Sequence, residues 1–119
     1  MGEKIKSYKD LKIWQIGIEV VVAVYEKTKK FPRNEEYGIV TQMKRAAVSI
    51  PSNIAEGFRR FHNKEYRQFL YIAMGSLAEL ETQIIIANKI KFIEEGQAAD
   101  LLNTLEELSR MIKGLINKL

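Results

Sequence analysis

Apolar residues recur every three or four positions in four segments of the 119-residue chain, which is the period of an amphipathic helix. The first segment follows Ser7 and Asp10, a helix start signal, and ends before Pro32. Its predicted apolar face consists of Leu11, Trp14, Ile18, Val21, Tyr25 and Thr28.

The second helix is predicted to begin at Asn34, a good cap, and to end at Gly57; the third is predicted to start after Asn63. The second carries the apolar face Ile39, Met43, Ala46 or Ala47, Ile50 and Ile54. The third carries Tyr66, Phe69 or Leu70, Ala73, Leu77, Leu80, Ile84 and Ala87. The fourth carries Leu101, Leu105, Leu108, Ile112, Leu115 and Leu119.

No segment alternates with period two over the length of a strand, and the main turn signals fall at the joints between these four segments. The pattern therefore predicts an all-α protein, an antiparallel up-down four-helix bundle that forms one domain over residues 1–119.

A proline interrupts the second predicted helix. Pro51 lacks an amide hydrogen and clashes with the carbonyl of Ala47, so a kink is predicted there. Ser52 and Asn53, with Ser49 before them, can satisfy the freed backbone groups, and this structural role is the favoured interpretation. In the alternative interpretation the bend also aims the basic residues that follow it.

Two runs are apolar on more faces than one bundle buries: residues 20–24 (VVVAV) and 84–87 (IIIA). A second copy of the chain covering the outer residues would explain them, which predicts a homo-oligomer. Coverage by long side chains of the same monomer is the alternative.

The net charge of +4 is concentrated in one segment. Residues 44–67 contain six basic and two acidic side chains, whereas the rest of the chain balances at thirteen of each. A surface that binds phosphates is one interpretation, and a solvated turn with cations at helix ends is the other. The candidate nucleic-acid-binding residues are Arg59, Arg60, Lys64 and Arg67, followed by Lys44 and Arg45.

Catalytic chemistry has little support in the sequence. The chain has no cysteine and a single histidine, His62, without the carboxylate spacing of a metal site, so no catalytic residue, metal or cofactor is indicated. The N-terminus has no signal core, and the longest uncharged run is eleven residues, whereas a membrane span needs about 20 apolar residues. We expect a cytoplasmic protein with no membrane contact and no enzymatic activity.

Several blocks resemble one family. Residues 8–14 (YKDLKIW), 31–32 (FP), 36–38 (EYG), 42–60 (QMKRAAVSIPSNIAEGFRR) and 64–83 (KEYRQFLYIAMGSLAELETQ) are similar to the four-helix-bundle proteins encoded in intervening sequences of 23S ribosomal RNA genes. The RAAVSIPSNIAEG block is the most specific. The resemblance extends to the accessory proteins of diversity-generating retroelements, which implies a ring-shaped, pentameric assembly.

Two functions follow as hypotheses from charge and resemblance together. In the first, the protein is a homo-oligomer that binds nucleic acid, with RNA favoured, through contacts to phosphates. In the second, it is a scaffold for another protein, or an accessory subunit of a nucleic-acid enzyme such as a reverse transcriptase.

Overall fold

A computed structural model describes residues 4–35 and 38–119. They form four α-helices and two short 3₁₀ helices, and no strand occurs in these two ranges. The α-helices are α1 (Lys12–Thr28), α2 (Ile39–Phe58), α3 (Asn63–Lys89) and α4 (Glu95–Lys118), and the 3₁₀ helices span Tyr8–Asp10 and Arg33–Glu35. The predicted all-α class and the four helices are confirmed. Glu36 and Tyr37, quoted above in the EYG block, lie outside the described residues.

Each helix packs against two neighbours: α2 contacts α1 and α3, and α4 contacts α3 and α1. Two contacts give the relative direction of α1 and α2. Gly17 of α1 lies against Pro51 of α2. Tyr25, later on α1, lies against Lys44, which is earlier on α2. Neighbouring helices α1 and α2 are therefore antiparallel. The up-down order of the whole bundle and the kink at Pro51 stay predictions, and α2 continues as one α-helix through the proline.

All four helices contribute to one hydrophobic core. The predicted faces of the second and third helices are largely buried, with Met43, Ile50, Ile54, Leu70 and Leu80 fully inaccessible. On α4 the predicted face is buried from Leu101 to Ile112. The predicted start of the second helix at Asn34 is wrong. That residue lies in the 3₁₀ helix, and α2 begins only at Ile39, after Gly38 adopts a non-helical backbone conformation.

The predicted face of the first helix is also partly wrong, because Ile18 and Tyr25 are exposed. The core side of α1 instead carries Ile13, Gly17, Val20, Val24 and Thr28. Gly17 explains the rotation of this face. A Cβ atom at Gly17 would lie 3.3 Å from Cβ of Pro51, so the absence of a side chain allows α1 to approach α2 closely at the proline.

Polar side chains next to Pro51 bond to one another between α2 and α3. The Asn53 side chain donates to the carbonyl oxygen of Ser49 (2.8 Å) and to its hydroxyl (2.9 Å), and the Ser76 hydroxyl donates to the same Ser49 hydroxyl (2.7 Å). Asn53 thus bonds the carbonyl of Ser49 rather than that of Ala47. Ser52 is exposed. We call Ser49, Asn53 and Ser76 the polar cluster.

Within the described ranges, α3 is the one helix long and apolar enough to span a membrane by length and composition. Seven of its residues are buried in the bundle, among them Leu70, Leu77 and Ile84. Of its most apolar 18-residue window, 33% is buried in the bundle, and one such helix is weak evidence of a membrane span.

Candidate nucleic-acid interface

A tight turn connects α2 to α3. Helix α2 ends at Phe58, and α3 follows after only four residues. Gly57 makes this geometry possible, because a Cβ atom there would lie 2.8 Å from Cβ of Phe69 and 3.0 Å from the Tyr66 ring. The close approach of the helices brings Arg59 and Arg60 next to the first turns of α3.

Arg60 is held by carboxylates on both sides of the turn. Its guanidinium lies 3.3 Å from Glu56 and 3.9 Å from Glu65, and it stacks 4.9 Å from the centre of the Phe69 ring. These pairs are solvent-exposed and contribute little to stability, but they offset the charge of Arg60. It is therefore the candidate least available to an external anion.

Arg59 contacts a segment distant in sequence. Its guanidinium lies 5.5 Å from the centre of the Tyr8 ring, which itself meets the Trp14 ring edge-on at 5.4 Å. Ser7 and Asp10 close a capping box around the 3₁₀ helix that carries Tyr8. The predicted start signal therefore begins this 3₁₀ helix, whereas α1 begins at Lys12, with Leu11 at its N-cap and no side-chain cap. Lys6, which sequence reasoning did not select, lines the same cleft as Arg59.

Lys64 and Arg67 lie in the first two turns of α3, where the helix dipole adds positive potential. Lys64 is exposed and Arg67 is half-buried. Among residues 4–35 and 38–119, neither has a carboxylate within 4.0 Å. In the described part of the chain, no close ion pair balances these two cations. We define the basic end as Lys6, Arg59, Arg60, Lys64 and Arg67.

Lys44 and Arg45 belong to a different surface. They lie on α2 fourteen or more residues before Arg59, which corresponds to roughly 20 Å along the helix. The Lys44 ammonium lies 4.6 Å from the centre of the Tyr25 ring, and both basic residues line a groove with Val48. The six predicted residues therefore form two groups. Four of them lie at the basic end, and Lys44 and Arg45 lie on the separate surface.

The turn also carries a residue that sequence reasoning missed. Phe61 is 99% exposed, the highest value among the large hydrophobic residues described. It lines the same cleft as Lys6, Tyr8 and Arg59. Its position directly after Arg59 and Arg60 is a signal in the sequence, because an aromatic residue beside basic residues in a turn is typical of surfaces that bind single-stranded nucleic acid.

Burial raises the pKa of the Tyr66 hydroxyl above its ordinary value of 10.0, and this residue packs beside Gly57 and the Phe58 ring. His62 is exposed. No group of three or more potential metal-binding residues is found in the part of the chain that the structure describes.

Comparisons with known proteins agree with this architecture. A crystal structure of a protein with unknown function, from the S23 ribosomal protein family of Bacteroides thetaiotaomicron, matches with a TM-score of 0.79 and 20% sequence identity. The match covers 87% of this chain and 97% of that chain, and at this identity it shows a shared fold. No curated protein is similar enough to match. The family model for the 23S rRNA-intervening sequence protein matches residues 9–114, which include all of α1, α2 and α3 and most of α4, and the chain therefore belongs to that family.

Proposed function

We propose that this protein is a non-enzymatic, cytoplasmic homo-oligomer that binds nucleic acid, preferably RNA, through the basic end. The observation that carries the proposal is the unbalanced charge of this surface. Lys64 and Arg67 have no close carboxylate in the described ranges, and Arg59 rests on the face of an aromatic ring. Phosphates are the anions that such a cluster of separate cations suits, and they are contacted without reading sequence.

Exposed apolar side chains support the oligomer. Val22 is 56% exposed, and Ile85 and Ile86 are 43% and 45% exposed, although the first and last residues of each apolar run are buried. Coverage of these side chains by another copy removes apolar surface from water. A ring of five copies, the assembly implied by the resemblance, repeats the basic end five times, so that weak phosphate contacts add up in one particle.

Fluorescence anisotropy at several salt concentrations tests the proposal, using single-stranded and duplex RNA and DNA. The test variant changes Arg59, Arg60 and Arg67 to Gln, and the control variant changes Lys44 and Arg45 to Gln. Affinity of the wild type should fall as salt rises, since binding releases counterions. The test variant should bind more weakly. Its salt slope should be shallower by about 1 to 2 per engaged protomer, the change expected from the loss of Arg59 and Arg67. Arg60 should add little, because its charge is already offset by an ion pair. The control variant should retain most of the slope.

Wild-type protein that binds no nucleic acid near 0.1 M salt contradicts the proposal. So does a test variant with unchanged affinity and slope. The second candidate function, a protein scaffold or an accessory subunit of an enzyme such as a reverse transcriptase, then takes precedence. It is supported by the apolar groove beside Lys44 and by the exposed Tyr71 and Ile72 on α3. Capture of a defined protein partner, by material whose ratio of absorbance at 260 and 280 nm is that of protein without nucleic acid, distinguishes this function.

A further inference from the structure

The Phe61 ring is almost entirely exposed in the part of the protomer that the structure describes. The next most exposed large hydrophobic residue among those described is Tyr71 at 61%, whereas Phe61 is 99% exposed at the tip of the turn between α2 and α3. A single exposed apolar side chain is ordinary on a protein surface. Its surroundings are what single out Phe61.

The Phe61 ring lies beside cationic and aromatic side chains that line the same cleft. The cleft that it lines also contains Lys6, Tyr8 and Arg59. Tyr8 is held by the edge of Trp14, and Arg59 lies over the Tyr8 ring, so both of these groups have defined positions. Arg60, on the same turn, lies 3.3 Å from Glu56 on α2 and 3.9 Å from Glu65 on α3. The cleft therefore presents a free aromatic face next to positive charge.

We propose that Phe61 stacks on an unpaired base of a single-stranded nucleic acid whose phosphates contact the basic end. This inference rests on the proposed function and adds a preference for single strands. A nucleotide combines a flat π-face with an anionic phosphate, and the cleft offers a complementary group for each. Bases of a duplex are stacked inside the helix, so they are not available to Phe61. Every base has a π-face, so the contact discriminates little among sequences.

The test compares a single strand with a duplex of the same length, by anisotropy, for wild type and three variants: Phe61→Ala, Phe61→Leu and Phe61→Trp. Loss of the ring should weaken single-strand binding at least about fivefold, which corresponds to about 1 kcal/mol of stacking per base. Leu should lose affinity as Ala does, whereas Trp should keep it. Duplex affinity and the salt slope should stay unchanged, because no phosphate contact is removed.

Ile90→Ala serves as the matched control, since Ile90 is 50% exposed and lies beyond the opposite end of α3. This variant should bind like wild type. Helicity of the Phe61 variants, measured by circular dichroism, should not change. If wild type binds single strands and Phe61→Ala binds them equally well, the stacking inference is overturned while the proposed function stands. If wild type binds no nucleic acid, both fall. A Phe61→Ala protein that changes its oligomer size in sedimentation assigns the ring to a contact between copies and overturns the inference.

Discussion

Replacing Gly57 with alanine should destabilise the protein, although alanine is the better helix former. In an open helix position this change stabilises by up to about 1 kcal/mol. At Gly57 the new Cβ would lie 2.8 Å from Cβ of Phe69 and 3.3 Å from the Tyr66 carbonyl oxygen. Both atoms belong to or adjoin the backbone of α3, so a side-chain rotation cannot relieve the contact. The two helices must separate.

Overpacking of this kind typically costs about 1 to 3 kcal/mol, and the rigidity of the contacted atoms favours the upper end. After subtraction of the gain in helix propensity, we expect Gly57→Ala to lower the free energy of unfolding by about 1 to 2 kcal/mol. Urea denaturation followed by circular dichroism measures this difference, at one fixed protein concentration because assembly contributes to stability.

Gly114→Ala is the matched control. A Cβ atom at Gly114 on α4 would meet nothing within 4 Å, so this variant should be unchanged or more stable by up to about 1 kcal/mol. A rise of the urea midpoint in Gly57→Ala similar to that in Gly114→Ala would refute the packing argument. Gly57→Ala should also bind nucleic acid more weakly, because separation of α2 and α3 moves the cations of the basic end apart.

Three further perturbations address assembly, the proline and alkaline pH. Val22→Lys and Ile86→Lys each place a charge on an exposed apolar site, so sedimentation velocity should show dissociation with helicity retained; loss of helicity would instead assign the site to the core of the protomer. Pro51→Ala restores an amide donor but removes the ring that packs on Gly17, so calorimetry should show a lower melting temperature or sedimentation an altered assembly, and a higher melting temperature with unchanged assembly would contradict a structural role. Tyr66 has a raised pKa, so its neutral form stabilises the fold below pH 10 and this contribution declines as pH rises further; Tyr66→Phe should lose less stability than wild type above pH 10 in urea titrations, and equal losses would contradict this origin.

The sequence predicted the core of α2, α3 and α4 because their buried residues are large and recur at helical spacing, as Leu70, Leu77 and Leu105 do. It misplaced the face of α1 because Gly17, which lies against Pro51 of α2, carries no hydrophobic signal. Ile18 and Tyr25, which carry a strong signal, face outward. Helix periodicity alone does not distinguish a core stripe from an exposed one on a helix that is apolar on two sides.

The candidate site was predictable where its residues are close in sequence. Arg59, Arg60, Lys64 and Arg67 adjoin one turn, and the structure brings them to one end of the bundle. The approach of the Tyr8 ring to Arg59 joins residues about fifty positions apart, and no local pattern signals it. Phe61 carries no charge and lies outside the helical apolar stripes, so neither the charge distribution nor the helix periodicity indicates it.

The polar cluster also restricts which alignment of α2 and α3 is stable. Stripes of Leu, Ile and Ala are nearly equivalent from one turn to the next, so they tolerate a slip of one helix along the other by about 5.4 Å. The same slip would break the 2.7 Å bond between the Ser49 and Ser76 hydroxyls and leave Ser76 only its longer contact, 3.3 Å, with the Ile72 carbonyl oxygen of its own helix. The bond thus makes one register more favourable than its neighbours. Ser76→Ala should therefore affect the uniqueness of the packed state more than its stability.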